Sequence, residues 1–294
     1  MSQPPSVVIT GASRGIGLAC AAHMYRLGWR VVAAVRCPET ALAQLQTAVR
    51  AQPDDPRMIA VRLDLTDPSS IASAAHDIEA AVGAPDGLVH NAGIAAAGSS
   101  EELPTDVWQR MFATHLFGPV ALTNQLLPSM RSAGRGRIVV VSSQAAGRGL
   151  PAITPYSASK SALERWAEGL ANEIAPFGLG VTVLVTGTFD TDMITEDSPH
   201  YRDDAGPYAE LHDRIDRSGR RAVGFFKRSP EKFAPRLATA LTERAPFARH
   251  GVGPDARTSM IVYRILPAWA GHQMGRIAMG LPRRGAWLGR NIDQ

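Results

Sequence analysis

Short aliphatic runs alternate with longer amphipathic segments through the first two thirds of the chain. This alternation predicts β-strands joined by crossover helices, and therefore a parallel sheet. Six strands are predicted, over residues 7–10, 30–35, 58–63, 87–90, 137–142 and 180–185. The main helices are predicted from a glycine-rich turn to about residue 27, and over 105–131 and 155–177. These elements predict an α/β fold, a doubly wound parallel sheet of the Rossmann type in a single domain.

The pattern changes after residue 187. Residues 190–224 are polar and rich in Asp, Arg, Gly and Pro, which predicts a mobile loop, and we expect substrate to bind along 188–228. A helix is predicted over 230–243 and an apolar tail with interspersed arginines over 255–281. We therefore expect a Rossmann-like domain over 1–254 and a helical or irregular C-terminal extension, 255–294, that belongs to the same domain.

Composition and charge exclude several classes of protein. A chain of 294 residues, 45% of them hydrophobic, buries a full core, which excludes a largely disordered protein. Residues 1–213 carry 15 basic and 22 acidic side chains, whereas 214–294 carry 16 and 5, for an overall charge of +4. No basic run exceeds two residues. The asymmetry therefore favours a solvated arginine-rich surface, and no nucleic-acid partner is expected.

Cysteine usage and hydropathy bear on the compartment. Cys20 and Cys37 are too few for a disulfide framework and have no metal-ligand spacing, so we expect a reduced, cytoplasmic environment and no bound metal. No signal-peptide pattern precedes the first strand, and the longest apolar runs have only the length of a strand. The tail combines tryptophans with arginines, a composition compatible with contact at a membrane surface, although packing on its own domain or in an oligomer is favoured.

A glycine-rich run joins the first predicted strand to the first helix. It reads Thr10-Gly11-Ala12-Ser13-Arg14-Gly15-Ile16-Gly17. Backbone N–H groups at a helix N-terminus bind a pyrophosphate, and glycines let its oxygens approach the backbone. Glycines also serve ordinary tight turns, but the position directly after the first strand favours a dinucleotide-binding site.

Tyr156 and Lys160 lie four residues apart in a predicted helix, so both side chains share one face. With five tyrosines and three lysines in the chain, chance is a poor explanation for this spacing. An ammonium beside the phenol would lower its pKa toward the range needed for acid–base chemistry, and the alternative is an exposed pair. Ser143, at the end of the fifth strand, can hold a carbonyl or alcohol oxygen, whereas Ser142 points the other way and is expected to be structural.

These motifs resemble the short-chain dehydrogenase/reductase family, in its single-domain branch with Thr-Gly-x-x-x-Gly-x-Gly and Tyr-x-x-x-Lys. The resemblance extends over about residues 6–192 and implies a nicotinamide cofactor. It implies that Tyr156 donates or accepts the proton, that Lys160 binds the nicotinamide ribose and perturbs Tyr156, and that Ser143 orients substrate.

The resemblance implies further cofactor contacts after the third, fourth and sixth strands. Asp64 is similar to the residue that contacts the adenine amino group, with Leu65 beside the ring. Asn91-Ala92-Gly93 is similar to the turn that supports the sheet and borders the cofactor. Thr186-Gly187-Thr188-Phe189-Asp190-Thr191 resembles the Pro-Gly-x-x-x-Thr loop over the nicotinamide, with Thr186 in place of the proline.

The choice between NAD and NADP depends on the end of the second strand. A carboxylate there would accept the 2′-hydroxyl of NAD and repel a 2′-phosphate, but the chain has Val35 followed by Arg36. A second arginine, Arg14, lies in the glycine-rich run. Two guanidinium groups near one ribose favour the phosphate, so the sequence predicts NADP(H) unless either arginine faces solvent.

One helix departs from the family pattern. The family has an asparagine in an Asn-x-x-Gly run, where it holds a water that links the lysine to solvent, whereas this chain has His115-Leu116-Phe117-Gly118. Histidine also carries a donor and an acceptor, so His115 would be a catalytic residue that maintains the proton relay. A buried histidine hydrogen-bonded by the main chain is the alternative, and the residues favour neither.

The expected function is NADP(H)-dependent interconversion of a carbonyl and a primary or secondary alcohol. Apolar side chains of the substrate loop (Phe189, Met193, Ile194, Phe225, Phe226) and of residues 260–281 can line an apolar pocket, and the alternative is that they form plain core. Residues 252–256 look like the tail of family members acting on lipid alcohols, so the resemblance implies a lipid, steroid or retinoid-like substrate. The alternative is a non-catalytic NADP(H)-binding sensor with the same fold. The resemblance also implies a homodimer or homotetramer formed through helices 105–131 and 155–177.

Overall fold

A computed structural model describes residues 3–52, 54–190, 200–226 and 228–287. The predicted cofactor residue Thr191 and the predicted pocket residues Met193 and Ile194 lie outside these ranges. In the described chain, seven parallel strands form one sheet in the order β3-β2-β1-β4-β5-β6-β7. The strands are β1 (Ser6–Thr10), β2 (Arg30–Val35), β3 (Met58–Arg62), β4 (Gly87–His90), β5 (Arg137–Ser143), β6 (Gly180–Thr186) and β7 (Phe247–Val252).

Helices connect the strands and form the C-terminal part of the chain. They are α1 (Gly15–Arg26), α2 (Pro38–Val49), α3 (Pro68–Val82), α4 (Thr105–Phe112), α5 (Gly118–Ala133), α6 (Thr154–Ile174), α7 (Ala209–Phe226), α8 (Ala234–Leu241), α9 (Pro254–Ile265) and α10 (Ala268–Ala278). The predicted doubly wound α/β fold is confirmed. The predicted helix 230–243 corresponds to a short 3-10 turn followed by α8.

Both faces of the sheet are buried, which explains why the strands are continuous apolar runs. Along β1, Val8 packs into one core, and Val7 and Ile9 pack into the other. Side chains of α3, α5 and α6 complete the first core, and side chains of α1, α2 and α8 complete the second. Successive strand residues point to opposite faces, so each strand supplies both cores.

The sequence prediction was wrong about two elements. Residues 209–226, predicted as part of a loop, form α7, and β7 was not predicted. β7 pairs with β6 at the edge of the sheet. Its last residue, Val252, is buried, and the residues before it are partly buried or exposed. A short strand that carries Arg249 and His250 lacks the apolar run that marks the central strands.

The predicted helix 105–131 is divided by a π-helical turn, Ala113–Phe117, between α4 and α5. α4 packs Val107 and Met111 into a small separate cluster, whereas α5 packs Leu122 and Leu126 into the first core. The turn carries His115, which is fully buried. π-helical turns are frequent at functional sites, and in this one the ring of His115 lies 5.5 Å from the ring of Tyr156, between centroids.

The C-terminal extension is helical. Ala256, at the start of α9, is fully buried in the first core, so the extension packs on the sheet domain. Farther along, α9 and α10 expose large apolar side chains, among them Ile265, Trp269 and Ile277, which are 72%, 73% and 79% exposed. No helix in the described ranges is long and apolar enough to cross a membrane.

Candidate active site

A cleft of about 1590 Å³ opens at the carboxyl ends of the strands. Successive strands are added on one side of β1 up to β3 and on the other side from β4 onward, and open α/β sheets bind ligands at such a switch point of strand order. All the predicted cofactor and catalytic residues within the described chain line this cleft except His115. Residues distant in sequence therefore meet in one site.

The glycine-rich run is held against β4 by hydrogen bonds. Thr10 Oγ1 donates to the carbonyl of Val89 and accepts from the N–H of Asn91, at 3.3 and 3.0 Å. Asn91 Nδ2 donates to the carbonyls of Thr10 and Gly11 at 2.9 and 3.2 Å. Asn91 therefore supports the sheet as predicted.

The glycines at this turn leave no room for side chains. Gly11 has φ +69°, a left-handed conformation that glycine adopts without strain. A Cβ on Gly17 would lie 2.2 Å from the carbonyl oxygen of Gly11. The start of α1 therefore packs directly on the turn and lines the cleft, and a helix N-terminus in this position fits the pyrophosphate of a dinucleotide.

Charged side chains line the end of the cleft next to β2. Arg36 is exposed directly after β2, and Arg14 caps α1, so both line the cleft. Asp64 Oδ1 accepts hydrogen bonds from the N–H and the hydroxyl of Thr66 at 2.9 and 2.7 Å, which lower the pKa of the Asp64 carboxyl. This end fits an adenosine ribose.

Tyr156 and Ser143 meet at the opposite end of the cleft. Burial raises the pKa of the Tyr156 phenol, and a hydrogen bond with Ser143 acts in the other direction. Lys160 Nζ lies 6.0 Å from the centre of the Tyr156 ring and donates to the carbonyl of Val141 at 2.9 Å. The sequence predicted that Lys160 lowers the pKa of this phenol, whereas in the protein alone burial raises that pKa.

Lys160 has an acidic neighbour that sequence reasoning missed. Burial lowers the pKa of Lys160 to about 8, and the charge of Glu164 opposes this effect. Glu164, itself buried, accepts a hydrogen bond from Ser142 Oγ at 2.7 Å and pairs with Arg249 at 2.9 Å. The i, i+4 spacing from Lys160 was the available signal. Ser142 is structural, as predicted.

His115 lies behind Tyr156 with both ring nitrogens engaged. Its Nε2 accepts from the N–H of Ile94 at 3.0 Å, so the neutral ring carries its proton on Nδ1, which donates to Ser159 Oγ at 2.8 Å. Ser159 Oγ in turn donates to the carbonyl of Tyr156 at 3.0 Å. Burial lowers the pKa of His115 well below its usual value. These contacts favour the hydrogen-bonded buried histidine, and the relay role stays a prediction.

The loop after β6 is held by a second residue that sequence reasoning missed. Thr188 N–H donates to Asp255 Oδ2 at 2.6 Å, and a Cβ on Gly187 would lie 2.0 Å from Asp255 Oδ1. Thr186, which replaces the family proline, donates through its hydroxyl to the carbonyl of Ser142. For Asp255, the only signal in the sequence was its position directly after Gly253 and Pro254, at the start of α9.

The substrate end is less apolar than the sequence suggested. Phe189 is buried against Phe233 and lines the cleft, but Phe225 is 88% exposed and does not. Polar side chains of the segment after residue 200 also line it, including Arg202, which pairs with Asp216 at 2.8 Å.

The chain is similar to known proteins in sequence and in fold. A family model described as short chain dehydrogenase matches residues 5–202. Dehydrogenase/reductase SDR family member 7B of Xenopus tropicalis is 37% identical over 208 residues, 68% of this chain and 67% of that protein. The uncharacterized oxidoreductase YusZ of Bacillus subtilis is 37% identical over 187 residues, 63% of this chain and 65% of that protein. The chain therefore spans about two thirds of the length of these relatives.

Other similarities extend over more of the chain. Oxidoreductase BOA17 of Botryotinia fuckeliana is 32% identical over 254 residues, 84% of this chain and 88% of that protein. A solved short-chain dehydrogenase from Streptomyces avermitilis superposes with a TM-score of 0.78 at 33% identity, over 95% of this chain and 98% of that one. A metagenomic short-chain oxidoreductase in complex with NADP gives a TM-score of 0.65 at 26% identity, over 85% and 99%.

Proposed function

Since this chain belongs to the short-chain dehydrogenase family, we propose that it is an NADP(H)-dependent oxidoreductase that interconverts a carbonyl and a primary or secondary alcohol. The observation that carries the proposal is the single cleft that joins the glycine-rich turn to Ser143, Tyr156 and Lys160. A binding site alone would not need a hydroxyl, a phenol and a buried cation at one end.

The chain's own residues supply positioning and proton transfer. When bound, the nicotinamide donates or accepts hydride. Ser143 hydrogen-bonds the carbonyl oxygen of the substrate, and the Tyr156 hydroxyl gives its proton to the developing alkoxide, or accepts one in the oxidation. Lys160 binds the ribose and places a positive charge near the phenolate. Asp255 holds the backbone of Thr188 at the edge of the site.

The preference for NADP(H) is supported by Arg36, which is exposed at the end of β2 where a carboxylate would select NAD. Arg36→Glu is expected to raise the dissociation constant of NADPH at least tenfold, because a charge-assisted hydrogen bond to the phosphate is worth about 1.5–3 kcal/mol. The constant for NADH should change little. Arg236→Glu makes the same charge change on α8, away from the cleft, and should leave both constants unaltered. Equal losses for the two cofactors in Arg36→Glu would refute the preference.

Turnover tests the proposal directly. NADPH oxidation and NADP+ reduction are measured by absorbance over a panel of steroid, retinoid, fatty and small carbonyl–alcohol pairs. Tyr156→Phe should lower turnover by about 10³-fold, because it removes the proton donor and leaves binding intact. Tyr208→Phe removes a phenol outside the cleft and should retain activity. Tight NADPH binding without turnover on any pair would favour the sensor.

The oligomeric state and the cellular location of the protein are proposed from fewer observations than its activity. Phe117, at the end of the π-helical turn, is 63% exposed, and Phe177 is 47% exposed after α6. These apolar side chains support a homodimer or homotetramer formed through α4–α5 and α6. Light scattering of the parent protein and of Phe117→Glu tests this, and an unchanged molar mass in the variant would argue against that interface. A cytoplasmic location rests on cysteine usage alone.

A further inference from the structure

A second cavity of about 1010 Å³ lies between α10 and the loop that precedes α6. It borders the catalytic cleft, because Leu150, Pro151 and Met279 line both spaces. A ligand whose reacting oxygen is held by Tyr156 and Ser143 can therefore extend past these shared side chains. A cavity of this size by itself suits a ligand portion of drug-like dimensions.

Aliphatic and aromatic side chains from four segments form most of the second cavity. They include Leu150, Pro151, Leu211, Tyr263, Met274 and Trp287. Apolar walls of this kind bind hydrocarbon by removing it from water. Because the cavity shares three lining residues with the cleft, the substrate itself is its natural occupant, in preference to an independent ligand.

All the charged side chains that line this cavity within the described ranges are arginines, namely Arg148, Arg276 and Arg283. None of the three pairs with a carboxylate in that part of the chain. Arg148 donates to the carbonyl of Ala268 at 2.8 Å and lies over the Tyr263 ring at 4.8 Å, and its buried Nε has no hydrogen-bond partner. The cavity therefore combines apolar walls with arginine side chains that pair with no carboxylate of the described chain.

We propose that the second cavity binds the distal part of the substrate, an apolar chain that ends in an anionic group such as a carboxylate or a phosphate. The chain fills the space between Met279 and Trp287, and the anion pairs with the arginines. This assignment rests on the proposed oxidoreductase function, since it specifies the substrate class of the same site.

Binding of unreactive amphiphiles tests the cavity apart from catalysis. Butanoate, octanoate, dodecanoate and dodecyl phosphate are titrated by calorimetry into the protein saturated with NADP+. Affinity should rise with chain length, by up to about fourfold per buried methylene, and dodecanol should bind more weakly than dodecanoate. The two dodecyl anions distinguish a fatty acid from a phosphorylated lipid as the source. Equal affinity for butanoate and dodecanoate would overturn the proposal.

Two substitutions on α10 separate filling of the cavity from general damage. Gly275 lines the cavity, and a Cβ there meets only Met279 Cε at 3.9 Å, so Gly275→Phe fills the cavity without a backbone clash. It should weaken dodecanoate binding at least tenfold and leave butanoate and NADPH affinity unchanged. Ala278→Phe places the same ring on an exposed position of the same helix and should change none of these. Unaltered dodecanoate binding in Gly275→Phe would overturn the proposal.

Neighbouring arginines provide the charge control. Arg283 lines the cavity and Arg284 does not, although both are exposed. Arg283→Glu should weaken binding of dodecanoate about fivefold and that of dodecanol little, whereas Arg284→Glu should affect neither. Equal effects of the two reversals would overturn the anionic part of the proposal.

The outcomes also separate the cavity from the proposed function. Turnover of short and long alcohols with equal efficiency would overturn the distal site and leave the oxidoreductase intact. The expected binding pattern in a protein that shows no turnover with any alcohol or carbonyl would support the site and overturn the proposed function.

Discussion

Two histidines buried against α6, the helix of Tyr156 and Lys160, make the stability of the fold depend on pH. His90 is 2% exposed, and burial, aided by the charge of Lys160, lowers its pKa to about 3. In the unfolded chain a histidine has a pKa of about 6.5. Between these two values the folded protein keeps His90 neutral while the unfolded chain takes up a proton. Acid therefore favours the unfolded state throughout this window, and His115 acts in the same direction.

The size of the effect follows from proton linkage. One proton taken up on unfolding changes the free energy of unfolding by about 1.4 kcal/mol per pH unit. Between pH 7 and pH 5, His90 alone should remove about 2 kcal/mol of stability, since uptake begins near the unfolded pKa. Domains are typically stable by about 5–15 kcal/mol, so the loss is readily measured.

Urea unfolding at the two pH values tests this reasoning with His90→Gln. The glutamine amide reaches the Thr123 hydroxyl, which lies 2.8 Å from His90 Nε2 in the parent protein. The variant should lose about 2 kcal/mol less than the parent between pH 7 and pH 5. His76→Gln, a change on the exposed surface of α3, should behave as the parent does. An equal loss in His90→Gln and parent would refute a neutral buried His90.

Three further substitutions concern the site itself. Gly17→Ala places a Cβ 2.2 Å from the Gly11 carbonyl oxygen and should raise the NADPH dissociation constant at least tenfold in a fluorescence titration, whereas unchanged affinity would mean that the turn adapts. Glu164→Gln removes the charge that supports the Lys160 ammonium, so reductase activity should fall at a lower pH on the basic side of the pH–rate profile. A profile identical to the parent's would exclude that role. His115→Asn should leave the pH–rate profile unchanged and lower the melting temperature. A shifted profile would instead support a role of His115 in a proton relay.

The sequence predicted what is encoded locally. The six predicted strands are apolar runs because their side chains supply the two cores on either face of the sheet. Gly17 follows β1 because a Cβ there would lie 2.2 Å from the Gly11 carbonyl oxygen. Tyr156 and Lys160 share a helix, so their spacing predicted their common face. Each of these features is readable within a window of a few residues.

Features that depend on distant contacts were missed. Glu164 is placed by Arg249, 85 residues away, and Asp255 is placed by the backbone of Thr188, 67 residues away. α7 is polar along much of its length, so its composition resembled a loop. Two interpretations of His115 were equally favoured from the sequence, because only the structure provides the N–H of Ile94 as its partner.

Because the π-helical turn Ala113–Phe117 joins α4 to α5, the number of residues between these helices determines how they are oriented relative to each other. Deleting one residue there would restore an ordinary α-helix with every backbone hydrogen bond made. It would also turn α4 by about 100° against α5 and draw the two together by about 1.5 Å. Val107 and Met111 would leave their cluster, and the imidazole of His115 would no longer reach Ile94. A single-codon deletion that leaves the helix intact would thus displace the side chains that pack behind Tyr156.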